Sequence, residues 1–99
     1  MASPPLSLTA HRLEIRGRVQ GVGYRDAAVQ AAFECAVRGW VRNRRGGHVE
    51  AFVQGESEAV ERFVAWCHRG PPLARVEEIM RHEAEVDPRL AAFETRATL

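Results

Sequence analysis

The segment Gln20-Gly21-Val22-Gly23-Tyr24-Arg25 is where the residue types of this chain could do chemistry. Two glycines in three residues let successive backbone N–H groups turn toward one point, a concave nest for an anion. An arginine follows at once. Its guanidinium is permanently charged and can grip two oxygens of one phosphate together. If a helix begins at Tyr24, Arg25 lies in its first turn, where unpaired N–H groups already carry partial positive charge. A cation there is electrostatically unfavourable unless an anion is meant to join it. The plain alternative is a strand-to-helix turn with a solvated arginine, and local pattern alone leaves both open. A dinucleotide loop is excluded, since only Gly21 and Gly23 have the spacing and no parallel unit follows. A phosphate-binding P-loop is excluded because no Gly-Lys-Ser/Thr occurs.

The elements around this loop must position it. From His11 to Val19 apolar and charged residues alternate, with His11, Leu13, Ile15 and Val19 on one side and Arg12, Glu14, Arg16 and Arg18 on the other. That is a half-buried strand. Tyr24, Ala28, Ala31, Ala32 and Cys35 recur at helical spacing, and their small size lets the helix lie close to a sheet. Gly39–Arg44 is a short strand, Arg45-Gly46-Gly47 a hairpin turn, and His48–Gln54 the return strand, broken by Gly55. Ser57 is expected to cap a second helix with Val60, Phe63, Val64 and Cys67 as its buried stripe, stopped by Gly70-Pro71-Pro72. Val76 to about Val86 reads as a strand, and Ala92–Thr98 as a last short one. The order is that of an α+β, ferredoxin-like split βαβ fold, with two helices on one face of an antiparallel sheet.

The bulk numbers bound the rest. The 99 residues suit one domain, and 45% hydrophobic content can fill a core. Residues 1–9 are expected to form a disordered tail before a single domain over residues 10–99. A net charge of +1 argues against a nucleic-acid partner, even though all 14 basic residues counted are arginine. Cys35 and Cys67 form no Cys-x-x-Cys pair and read as buried free thiols. No apolar run approaches the roughly 20 residues of a membrane span, and residues 1–9 lack the parts of a signal peptide. A cytoplasmic location is expected. His11, His48, His68 and His82 share no metal-like spacing, and Asp26 reads as a solvated carboxylate that suits the helix dipole. Arg16 and Arg18 could raise the positive potential near the loop.

The run Gly17-Arg18-Val19-Gln20-Gly21-Val22-Gly23-Tyr24-Arg25 resembles the signature of the acylphosphatase family. Gly39-Trp40-Val41-Arg42-Asn43, Gly47-His48-Val49-Glu50, Gln54-Gly55 and Gly70-Pro71-Pro72-Leu73-Ala74-Arg75-Val76 are similar to that family in order and spacing, so the likeness spans His11 to Arg96. The resemblance implies a metal-independent hydrolase, without cofactor, that splits the carboxyl-phosphate bond of a small acyl phosphate into carboxylate and inorganic phosphate. It implies that Arg25 holds the phosphate, that Asn43 orients the attacking water, and that residues Gln20, Gly21, Val22, Gly23 and Tyr24 form the phosphate-binding loop with Arg25. A monomer with neither nucleic-acid nor membrane partners is expected. Tyr24 stands where the family often has Phe, Ala36 where it commonly has a helix-ending Gly, and Arg44 where it commonly has a small hydroxyl residue. A left-handed Ala36 would cost roughly 1 kcal/mol. Competing readings are a ligand- or RNA-binding ferredoxin-like module and an acylphosphatase-like segment of a larger carbamoyl-transfer enzyme. Fold alone does not separate these.

Overall fold

In the computed structural model, which describes residues 7–99, the chain runs β1 (Leu8–Arg18), α1 (Tyr24–Cys35), β2 (Arg38–Asn43), β3 (Val49–Glu56), α2 (Ser57–Arg69), β4 (Arg75–Ala84) and β5 (Phe93–Thr95). The sheet order is β4-β1-β3-β2-β5. β1 pairs antiparallel with β3 and β4, and β3 with β2. This is the expected split βαβ arrangement with one amendment: the sheet is mixed, because β5 runs parallel to β2. The cause is a crossover. After β4, at one edge, the chain crosses the sheet end and meets the opposite edge at the start of β2, where Gly39 pairs with Phe93. Gln54 anchors that crossing, donating to the Asp87 carbonyl at 2.8 Å and accepting from the Asp87 N–H at 2.7 Å.

The alternation read from sequence sets the core. Leu13 and Ile15 of β1, Val41 of β2 and Val49, Ala51 and Val53 of β3 are buried. They form one cluster with Ala28, Ala31 and Ala32 of α1 and with Val60, Phe63, Val64 and Cys67 of α2. Cross-strand partners share a face, so two inward rows follow from the register: Leu13–Ala51–Val41 and Ile15–Val49–Asn43. Asn43 thus takes the inward position that an apolar residue would fill deeper in the sheet. The other face carries charge. Glu50 is buried beneath the guanidiniums of Arg12, Arg42 and Arg44 at 3.4, 2.8 and 3.2 Å. Trp40 stacks on Phe52, with the Arg42 and Arg96 guanidiniums 4.8 and 5.0 Å from its ring.

Several boundaries differ from expectation. β1 begins at Leu8, whose pairing with Glu56 and that of Thr9 with Gly55 draws both residues into the sheet; residues 1–6 of the expected tail lie outside the described residues. Gly55 does not break β3, which runs straight into α2. With no loop between them, the capping position falls on Glu56. Ser57 is therefore the first helical residue instead of the cap, and its N–H and hydroxyl both donate to the Ser7 carbonyl, at 2.9 and 3.0 Å.

Candidate active site

α1 starts without a side-chain cap. Gly23, at its N-cap, is left-handed with φ 79°, and Gly21 has φ 74°. A Cβ at either would meet nothing within 4 Å, so the backbone angle, not space, demands glycine. The first helical hydrogen bond runs from the Ala27 N–H to the Gly23 carbonyl at 3.1 Å. The N–H groups of Tyr24, Arg25 and Asp26 precede it and have no acceptor within the helix. They add donors and partial positive charge to a cavity of about 100 Å³ lined by Val19, Gly21, Gly23, Tyr24, Arg25, Asp26 and Asn43.

The residues expected from sequence divide here. Gly21, Gly23, Tyr24, Arg25 and Asn43 share this cavity, while Gln20 and Val22 lie outside its lining. Arg25 is half-buried and, among the described residues, forms no ion pair. The Asn43 Oδ1 is buried without a hydrogen-bond partner. An orphaned carbonyl of this kind costs about 1–3 kcal/mol unless something donates to it. Asn43 itself lines the cavity that Arg25 also lines.

The Tyr24 side chain is engaged with α2. The ring is buried against Trp66 and its hydroxyl donates to the Cys67 carbonyl at 2.7 Å, in the last turn of α2. Burial, and then the neighbouring Cys67, push the Tyr24 pKa up, so it stays neutral. Burial raises the Cys67 thiol to about 12 and also raises Cys35. Both cysteines are free thiols and neither lines the cavity. The cavity therefore has no thiolate or phenolate nucleophile.

Sequence reasoning set Asp26 aside, yet it lines the cavity wall. The contact of the Gln20 side chain with the β2–β3 turn was not foreseen. A last strand over Ala92–Thr98 was expected, but its pairing with β2 and the turn after it was not. The Leu99 N–H donates to the Asn43 carbonyl at 3.3 Å, and the Arg45 N–H to the Leu99 carbonyl at 3.2 Å. No local pattern announces such pairing between distant strands. Arg16 pairs with Glu14 at 3.4 Å and, with Gly17, Gly46, Gly47 and His48, lines a separate cavity. A larger cavity of about 490 Å³, lined by Val29, Phe33, Val37 and Phe93 among others, is mostly apolar, and its one charged side chain, Arg38, points to the Leu90 carbonyl. Among the described residues no group of three or more His, Cys, Asp or Glu is placed to hold a metal ion.

An acyl phosphate site needs anion donors, a fixed cation and a hold on water, and the chain's relatives carry that name. The acylphosphatase from Acidovorax sp. (strain JS42) is 46% identical over 99 residues, covering 100% of both chains. That from Azoarcus sp. (strain BH72) is 53% identical over 79 residues, covering 80% of this chain and 81% of its own. The crystal structure of acylphosphatase from Bacillus subtilis superposes with a TM-score of 0.85 at 32% identity, over 91% of this chain and 99% of that one. The family profile described as Acylphosphatase matches residues 11–95. With that match over most of its length, the chain belongs to the acylphosphatase family.

Proposed function

We propose that the chain hydrolyses acyl phosphates to carboxylate and inorganic phosphate, with Arg25 and the backbone N–H groups of the loop from Gln20 to Tyr24 holding the phosphoryl group and Asn43 the attacking water. The observation that carries this reading is that Asn43, whose Oδ1 is buried without a partner, lines the same cavity as Arg25 and the uncapped start of α1. Arg25 offers only donors and Asn43 an uncharged amide, so neither serves as a base and the chemistry runs on position and field. The phosphoryl oxygens accept from backbone N–H groups and the guanidinium, which stabilise the charge of the transition state. Asn43 Oδ1 accepts a hydrogen bond from a water and aims the water's oxygen at phosphorus. The water oxygen bonds to phosphorus as the bond to the acyl oxygen breaks. The carboxylate leaves with the electron pair, and the water's proton passes to a phosphate oxygen. A carboxylate departs without protonation, so no general acid is required.

The same reading has a monomer in the cytoplasm, with a small-molecule substrate and neither nucleic-acid partner nor cofactor. Two free thiols suit a reducing compartment. Among the described residues no helix is long and apolar enough to cross a membrane.

The test is hydrolysis of benzoyl phosphate in excess chelator, beside a phosphate monoester. Cleavage of the first alone, unchanged by chelator, is expected; a metal requirement or a preference for the monoester overturns the reading. Losing one preorganised donor costs about 10²–10³ in rate. Arg25→Ala should lose both turnover and affinity for inorganic phosphate. Asn43→Ala should lose turnover by that factor and keep phosphate affinity. Equal loss of affinity in the two variants contradicts the division of roles.

A further inference from the structure

The Gln20 side chain leaves the anion loop and crosses to the β2–β3 turn. Its Nε2 donates to the Arg44 carbonyl at 2.8 Å and to the His48 carbonyl at 2.9 Å. Those two carbonyls close the turn: the Arg44 N–H donates to the His48 carbonyl at 2.8 Å and the Gly47 N–H to the Arg44 carbonyl at 3.0 Å. Both hydrogens of one amide are thus spent on the residue after Asn43 and on the residue facing it. Arg44 itself offers Asn43 no side chain, because its guanidinium goes to Glu50 at 3.2 Å. Asn43 Oδ1 has no partner in the protein. Its location relative to Arg25 is therefore set by backbone, and Gln20 directly joins the strand end that carries Asn43 to the loop that begins the anion site.

We propose that Gln20 is a positioning residue, whose amide fixes the spacing between the phosphoryl group at Arg25 and the water at Asn43. The proposal rests on the water-holding role given to Asn43 above. In-line attack is steeply sensitive to geometry: a misplacement of about 1 Å costs on the order of 10²-fold in rate. Binding of phosphate alone requires only the loop and Arg25, and so tolerates that misplacement.

Gln20→Met preserves length and removes both donors. With benzoyl phosphate, kcat should fall by about 10- to 100-fold, with the inhibition constant of inorganic phosphate changed less than about twofold. A double-mutant cycle separates positioning from plain destabilisation. In the Asn43→Ala background, where no water is held, Gln20→Met should change kcat less than about twofold. Full multiplicative loss in both backgrounds overturns the proposal, as does a parallel loss of phosphate affinity in the single variant. Asn43→Ala with undiminished turnover fails the Asn43 reading itself, an outcome visible before Gln20 is altered. Should Gln20→Met not fold by circular dichroism, Gln20→Asn, one methylene too short to span the same gap, is expected to give the same split and is judged by the same criteria.

Discussion

Ala36 shows how a single residue can be out of step with its backbone. It ends α1 at φ 60° and ψ 44°, the only left-handed residue other than glycine among those described. Its N–H still reaches the Phe33 carbonyl at 3.2 Å, so the helix stop is made at the expense of a crowded Cβ. Ala36→Gly is expected to stabilise the protein by about 1 kcal/mol. In a domain of this size that raises Tm by roughly 4–8 °C. Thermal denaturation followed by circular dichroism measures it, and an unchanged or lower Tm counts against the strain. The position of this residue at the helix end was legible in the sequence through its neighbours. Its handedness was not, because alanine carries no signal for a left-handed stop; only the likeness to a family with glycine there raised the question. Tyr24 is similar. Its place at the helix start could be read from spacing, while the reach of its hydroxyl to Cys67 depends on how α1 and α2 pack.

Among the elements, α1 and β2 bring Arg25 and Asn43 into one cavity, and each was readable from local pattern: period two for the strands, small residues at helical spacing for α1. What joins them was not. The parallel pairing of β5, the Gln20 amide and the Leu99 contacts all link residues far apart in sequence. Beyond β5 the chain continues along β2, with the Arg96 N–H donating to the Val41 carbonyl at 2.9 Å and Leu99 bonding Asn43 and Arg45. These bonds brace the edge of the strand that ends at Asn43. Deleting residues 96–99 removes them. The expected outcome is a loss of about 1 kcal/mol or more, seen in urea denaturation, together with a lower kcat on benzoyl phosphate and near-normal inhibition by inorganic phosphate. Unchanged stability and turnover would show that the edge needs no brace.

For the whole molecule, the charged face of the sheet sets the response to acid. The hydrogen bond to His82 at 2.9 Å holds the Glu14 carboxyl below its ordinary range. Burial pushes Glu50 upward, but the hydrogen bond from Arg42 and the charges of Arg42, Arg44 and Arg12 outweigh it, and its pKa is lowered. A carboxyl lowered in the folded state contributes stability that is present above its ordinary value of 4.5 and is lost as pH falls through the folded value. Unfolding free energy should therefore drop as acid is added below pH 4.5, and Glu50→Gln should make that drop shallower. Urea titrations across this range check both, and an acid limb unaltered by Glu50→Gln would mean that the arginine cluster adds nothing. The cavity beside Arg25 and Asn43 has a different consequence. At about 100 Å³ it is roughly a fifth the size of the 490 Å³ apolar cavity. On the function proposed above, such a space takes the phosphoryl end and leaves the organic remainder of a substrate outside. Choice among substrates then falls to the lability of the anhydride, not to the shape of the acid behind it. Across a series of acyl phosphates, log kcat/KM should follow the acidity of the departing acid and ignore its bulk.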